Sequence, residues 1–418
     1  MPRQRIRRLR EYGLTAGTLG STSAQTLMVA LLPVLLEEYA PSAIWIGLVI
    51  GGEGLFALLV PYWIGHLSDR LPARWARRLG RRTFFLHATA PIMAGTLALT
   101  PFLDGYWMLA AAAFVFFAAF HGYLTPLWAL MVDAVPDRRR GRVHGVRGGF
   151  HAAGLGYGLV AGGLLFSIWP ALPFLVAAAL ILVTTFATHF AASVGAGAAT
   201  ASSGDRPGDR RRVSWRTFME RSPVRWFLVA NALWTGAVDG IRPYIFPFAG
   251  IVLGISVADT SLVLLVLLGG IGIGTVLLGR LGDRYGRARL LEAGALLTAV
   301  AMLAGIFVRE LTGALLLLLA AGLGAAALIA LPYPLFASLA GERGIGRYTG
   351  LYILSMGAAR VVAPILVGAA IDLGATLLPA YRGYPWMWPI AGVLALASVL
   401  ALRRAVPEPR NALRERGI

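Results

Sequence analysis

The 418-residue chain contains no cysteine and no lysine. The first absence excludes disulfides, thiolate metal sites and cysteine nucleophiles. The second excludes the lysine-bearing phosphate loop of ATP-driven machines. Charge is scarce too, at 14% of the chain, where a soluble domain carries about a quarter. With 57% of its residues hydrophobic, the chain has too little polar surface to face water on all sides. Its six histidines (66, 87, 121, 144, 151 and 189) show no metal-ligand pairing. His144 and His151 stand two helical turns apart, too far for one ion on a straight helix. No nucleophile–base pair can be assembled either, so no enzyme and no metal cofactor is expected.

What the chain has in quantity is long apolar runs. Twelve are readable, at 13–36, 43–64, 83–103, 107–132, 143–167, 170–190, 224–251, 259–278, 289–308, 312–336, 347–371 and 386–402. Each is near the roughly 20 residues that cross a bilayer core as a helix. They are rich in Leu, Ala, Val and Gly and lack strand-like alternation. The expectation is an all-α membrane protein of twelve transmembrane helices, not a barrel. The N-terminal MPRQRIRRLR has the charge of a signal peptide's start. The apolar run behind it is too long and lacks a clear cleavage site, so it reads as a retained first helix.

The net charge of +18 suggests nucleic acid, but its distribution excludes that partner. All 38 basic residues are arginine, and thirty-four of them lie in the N-terminal arm, in alternate loops or the helix turn beside them, and in the C-terminal tail. The opposite loops hold Arg309 and Arg382, and Arg242 and Arg360 fall inside apolar runs. By the positive-inside rule the arginine-rich side is the cytoplasm, with both termini there. The same arginines attract anionic membrane lipid. The expected setting is a bacterial inner membrane, crossed many times by a monomer.

The chain also repeats itself. GHLSDR at Gly65–Arg70 returns as GRLGDR at Gly279–Arg284. Gly141-Arg142-Val143-His144-Gly145 enters the fifth run, and Gly346-Arg347-Tyr348-Thr349-Gly350 enters the eleventh. Pro126 in the fourth run has counterparts in Pro332 and Pro334 of the tenth. Two six-helix bundles in parallel orientation follow, residues 1–192 and 223–418. They are joined by a cytoplasmic linker, 193–222, rich in Gly, Ser and Ala and ending in charge. Its last part, VSWRTFMERSP, reads as a short amphipathic helix on the membrane surface.

Gly65-x-Leu67-x-Asp69-Arg70 and Gly279-x-Leu281-x-Asp283-Arg284-x-Gly286-Arg287 resemble the signature loop of the major facilitator superfamily. That loop follows the second and eighth helices in the family, as here. The resemblance covers the whole chain and implies a secondary transporter. It also implies a cytoplasmic gate built from Gly65, Asp69, Arg70, Gly279, Asp283, Arg284, Gly286 and Arg287, with Asp133 as a further member. Arg142 and Arg147, at the start of the fifth helix, either join this gate or serve topology, with Arg147 snorkelling to the membrane surface. The first copy departs from the pattern: LPARWARRL displaces the Gly-Arg, which resumes at Gly80-Arg81-Arg82. Ser338 stands where the second half would match Asp133.

Three stretches resemble the proton-coupled sucrose transporters and their bacterial relatives. They are Arg78–Phe85, the junction from Leu130-Met131-Val132-Asp133 to Arg140-Gly141-Arg142, and Thr349–Gly374. A competing likeness lies in the fifth run, where Gly154, Gly158, Gly162 and Gly163 resemble a motif of drug/proton antiporters, with Leu159 in place of its proline. Small residues at such spacing also serve plain helix packing.

Charges inside the membrane are costly and need a reason. Glu53 lies about 24 Å along the second helix from Asp69, and Arg360 about 20 Å into the eleventh. The two helices pack against each other in the family, so Glu53 and Arg360 are expected to face each other. They serve either as a fixed salt bridge or as a carboxylate that exchanges a proton and releases the arginine. Asp239 and Arg242 are three apart on the seventh run and share a face. They either neutralise each other or line the central cavity. Gln25, His121, Tyr123, Trp128, Asn231 and Trp234 are the remaining cavity candidates.

The function expected from this resemblance is proton-coupled symport of a sugar or similar small polar solute by alternating access. It needs no cofactor beyond the proton gradient, with Glu53 and Asp239 as the coupling carboxylates. The rivals are a drug or metabolite antiporter of the same fold, and a transporter-like sensor that moves no solute.

Overall fold

The computed structural model describes residues 2–69, 80–135, 137–193, 222–340 and 345–406. The linker between 194 and 221, including most of the amphipathic stretch, lies outside the described residues, as does Arg70. Among the described residues every regular element is helical. The main helices are α1 (Pro2–Leu36), α2 (Ala43–Asp69), α3 (Arg81–Leu99), α4 (Tyr106–Ala134), α5 (Asp137–Gly156), α6 (Gly162–Ile168) and α7 (Leu172–Ser193). They continue with α8 (Ser222–Ile241), α9 (Ile245–Phe248), α10 (Val257–Tyr285), α11 (Arg287–Ala304), α12 (Leu311–Ala330), α13 (Pro332–Ala340), α14 (Ile345–Ala375) and α15 (Met387–Ala405).

Eleven of the described helical stretches are long and apolar enough to cross a membrane. The chain is therefore a multi-pass membrane protein. The seventh apolar run is helical from end to end but is not one helix. After α8 the chain tightens into a 3₁₀ turn at Arg242–Tyr244, makes the single turn of α9, and widens into a π-turn at Ala249–Leu253. Pro243 and Pro247 supply no backbone N–H, which removes ladder hydrogen bonds where the helix changes pitch. Helices also outrun the apolar blocks. α1 begins at Pro2 rather than near 13, because hydropathy marks the bilayer core and not the point where the backbone stops being helical.

The chain forms two compact units. The first comprises Met1–Ala40, Leu55–Asp209 and Val257–Ser261. At its centre α1 lies between α5 and α7, and small residues set both contacts. Gly13, Gly17 and Gly20 meet α7 so closely that a Cβ on any of them would collide with Ala191, with Thr188 and the Tyr123 hydroxyl, or with Thr184 and Ile181. The Gly17 N–H donates to Thr188 Oγ1 at 2.9 Å. On the far side, Thr22 and Thr26 of α1 fill the space left by Gly154 of α5 and Gly158 of the π-turn that joins α5 to α6. Such close approach is what glycine permits between membrane helices, where dispersion replaces hydrophobic driving force. The glycines that resembled an antiporter motif are thus in use as packing surface.

The second unit comprises Pro41–Gly54, Arg210–Ser256 and Leu262–Ile418. It packs α8 on α14 through Gly236 and Gly240 against Ala363, and α10 on α12 through Gly270 against Gly322. A buried aromatic set, Phe227, Trp234 and Phe336, fills its interior beside α15.

Each signature motif ends in the same backbone device. Gly80, before α3, has φ 80° and ψ 145°, and Gly286, before α11, has φ 79° and ψ 151°. Side chains rarely adopt this region, so glycine is required to turn the chain into the next helix. The displaced Gly80 of the first copy does the job of Gly286 in the second.

Candidate functional site

The second unit holds a cluster of charges at membrane depth. Asp239, near the end of α8, accepts from Arg360 Nε of α14 at 2.8 Å and from Arg242 Nη1 at 3.1 Å. One carboxylate therefore serves two guanidiniums, one local at i+3 and one 121 positions away. Its side chain is 15% exposed, while those of Arg242 and Arg360 are 28% and 34% exposed. Glu53 of α2 is buried at 7% exposure and acts electrostatically on Arg360. The four groups sum to zero formal charge, which is how such a set persists away from water.

Glycine brings α2 to this place. A Cβ on Gly54 would sit 2.7 Å from the Val361 nitrogen and 2.9 Å from the carbonyl carbon of Arg360. One on Gly51 would sit 2.7 Å from the Val361 oxygen, and Gly47 lies as tightly against Pro364. Residues 47, 51 and 54 share one helical face, so α2 lies backbone-to-backbone on α14 beside Glu53 and Arg360.

The start of α2 is tied to the same helix. Asp372 of α14 accepts from the Ala43 N–H at 2.7 Å and from the Ile44 N–H at 3.0 Å. A carboxylate there satisfies two of the open donors of a helix start and complements its dipole. The fully buried Tyr244 hydroxyl lies 3.0 Å from the Ala43 oxygen and 2.7 Å from the Pro364 oxygen, between the two helices. Asp372 and Tyr244 went unread in the sequence. An aspartate near a helix end and a tyrosine between two prolines look ordinary until the fold sets them against residue 43.

The other expected residues are placed as follows. Asn231 is buried in α8 and donates to Ser355 Oγ of α14 at 2.8 Å. Trp234 is buried edge-on against Phe227, at 5.6 Å between ring centroids. Tyr123 is fully buried, 2.9 Å from Thr185 Oγ1 of α7. His121 is buried, its ring edge-on to Phe120, and Gln25 is partly buried on α1. Trp128 is half-exposed on α4, with the Arg147 guanidinium over its ring.

At the arginine-rich end of the first unit, Asp133 pairs with Arg82 at 3.3 Å, and Arg142 and Arg139 converge on Glu11 at 3.5 and 3.4 Å. Glu11 is a buried member of this set that the sequence reading missed, because it lies outside the first apolar run. Gly65 and Asp69 belong to the last turns of α2, and Asp283 to those of α10. Their side chains lie outside what is described. Gly279, Arg284 and Arg287 are exposed, and Arg284 stacks over Tyr285. Among the described residues no group of three or more His, Cys, Asp or Glu is arranged to hold a metal ion.

The sequence model of the Major Facilitator Superfamily matches residues 13–272 and 244–417. No curated protein matches the sequence. Among solved structures, a bacterial homolog of the human lysosomal transporter Spinster, in an inward-facing and occupied conformation, is similar with a TM-score of 0.74 at 15% identity. That match covers 96% of this chain and 97% of the other. The same homolog in an inward-facing, unoccupied conformation gives 0.72 at 16% identity, covering 97% and 99%. The nucleoside transporter NupG gives 0.69 at 14% identity, covering 96% and 99%. At such identities the likeness is one of fold.

Proposed function

The chain belongs to the major facilitator superfamily, and from that membership we propose that it carries out proton-coupled symport of a sugar or similar small polar solute by alternating access. It is a transporter and not an enzyme. The proposal places it as a monomer in a bacterial inner membrane, with both termini in the cytoplasm and the proton gradient as its energy source.

The observation that carries the coupling reading is the shared carboxylate: Asp239 holds Arg242 and Arg360 together, with Glu53 buried on the adjoining helix. A proton arriving on Glu53 cancels its attraction for Arg360. The guanidinium then depends on Asp239 alone, and the electrostatic tie between α2 and α14 weakens. When the proton leaves, the charge returns and the helices are drawn together again. Protonation is thereby converted into a change in how firmly two helices hold, the differential interaction that a shift between two states requires. The signature residues from Gly65 to Arg70 and from Gly279 to Arg287, with Asp133, Arg142 and Arg147, form the cytoplasmic gate in this reading. Gln25, His121, Tyr123, Trp128, Asn231 and Trp234 are its cavity residues.

The test is Glu53→Gln in reconstituted liposomes. The variant should exchange labelled solute across the membrane yet fail to accumulate it against a gradient. Accumulation at the wild-type level removes Glu53 from coupling.

A further inference from the structure

At the arginine-rich end of the second unit two helices meet over one indole. Trp226 stands in the second turn of α8, and Arg404 in the last turn of α15. The Arg404 guanidinium carbon lies 4.5 Å from the centroid of the Trp226 ring, and that of Arg225 lies 5.9 Å from it. A cation held over an indole face is attracted by the ring's quadrupole. Trp226 is partly buried and packs on the hydrophobic core of this unit, so the ring is a fixed platform. The two arginines that end α15 differ in their surroundings. Arg403 pairs with Glu292 of α11 at 2.6 Å. Arg404 is exposed and makes no ion pair among the described residues.

An apolar stripe leads away from this contact. Val393, Leu396 and Leu400 of α15 are exposed, and positions 393, 396, 400 and 404 share one helical face. On α8, which runs the opposite way from the same contact, Trp226, Val229 and Leu233 share a face and are partly buried. Val393 and Arg404 are eleven residues apart, about 16 Å of helix. Half the hydrocarbon core of a bilayer is about 15 Å. The surface therefore has a cationic, aromatic head at the membrane boundary and an apolar tail one leaflet long. That is the outline of a phospholipid and not of a soluble anion.

We propose that Arg404 and Trp226, with Arg225 beside them, bind the phosphodiester headgroup of an anionic phospholipid whose acyl chain lies along Leu400, Leu396 and Val393. Basic pockets between membrane helices take such headgroups. The guanidinium donates to the phosphate oxygens in charge-assisted hydrogen bonds. The indole, apolar over its face and polar at its N–H, suits the depth of the membrane boundary. A zwitterionic headgroup brings a cation of its own to a place that already holds two guanidiniums, so the anionic lipid is preferred. Trp226 and Asp239 are thirteen residues apart on α8, about 20 Å, and the site is separate from the charge cluster.

The test is native mass spectrometry of the purified protein, titrated with phosphatidylglycerol or with phosphatidylcholine of the same acyl chains. Wild-type protein should hold its tightest phosphatidylglycerol about fivefold more firmly than phosphatidylcholine, the worth of one arginine at an anionic surface. Arg404→Gln should bring the two lipids near parity. Arg289→Gln, which removes the same charge from an exposed position at the same end of α11, should leave the preference intact. Equal retention of both lipids by the wild type would overturn the proposal. Equal losses in Arg404→Gln and Arg289→Gln would do so too, leaving only a general attraction between a basic protein and anionic lipid. A preference absent from the wild type but present in Glu408→Gln would give Arg404 to the chain's own tail. Displacement of phosphatidylglycerol by millimolar glycerol phosphate would make this a phosphate site and remove the lipid. The wild-type comparison stands even if a variant does not fold.

Discussion

Asp239→Asn is the sharpest perturbation of the charge cluster, because it alters charge at nearly constant volume. The wild-type carboxylate accepts from Arg360 at 2.8 Å and from Arg242 at 3.1 Å. Asparagine keeps one acceptor oxygen, so one contact survives as a weaker neutral bond while the other guanidinium faces an amide N–H. Removing one member of a buried ion pair costs about 3–5 kcal/mol. Here the arginines are 28% and 34% exposed, and partial solvent screening lowers the expected loss to about 2–3 kcal/mol. Adding Arg360→Gln removes the excess positive charge. The double variant should therefore be more stable than the sum of the singles predicts, by about 1–2 kcal/mol. Denaturant unfolding of the purified protein in detergent, for the two singles and the double, measures both quantities. Single losses below about 0.5 kcal/mol, or strict additivity, would refute the view that Asp239 is the common counter-ion.

Four further outcomes follow from the packing and from the cap on α2. Gly51→Leu should destabilise by about 1–3 kcal/mol, because the atom its Cβ meets is the Val361 carbonyl oxygen, at 2.7 Å, and backbone cannot swing aside. Gly141→Ala, with nothing within 4 Å of the new methyl, should be neutral or slightly stabilising in the same denaturant-unfolding assay. Gly286→Ala should cost about 1–3 kcal/mol for forcing a side chain into φ 79°, whereas Gly279→Ala, in open helix, should not. Asp372→Ala should cost about 1 kcal/mol by uncapping α2. In single-cysteine variants of this cysteine-free chain, it should also raise the labelling rate at position 43.

The parts of the molecule legible in the sequence are those written in local periodicity. Apolar run length announced the membrane helices, and the repeated Gly-x-Leu-x-Asp-Arg announced the family. Helix ends were less legible, since hydropathy falls off where the bilayer ends while the backbone of α1 continues to Pro2. The break in the seventh run was visible only as Pro243 and Pro247, whose effect on pitch depends on neighbours.

Long-range partnerships were the hardest to read. Asp239 and Arg242 satisfy each other at i+3, so nothing local called for Arg360 as a third member. Trp234 is buried edge-on to Phe227 and Tyr123 lies 2.9 Å from Thr185 Oγ1, partners that residue type alone does not announce. Aromatic residues of membrane helices serve packing as readily as ligands, and sequence does not distinguish the two.

The central claim is that the chain moves a solute together with a proton through Glu53. Purified protein in liposomes with a trapped pH-sensitive dye tests it most directly, with neutral and acidic sugars added outside, for the wild type and for Glu53→Gln. The account predicts internal acidification on addition of a transported sugar and none in the variant. Solute entry without any pH change, or equal acidification in both proteins, would contradict it.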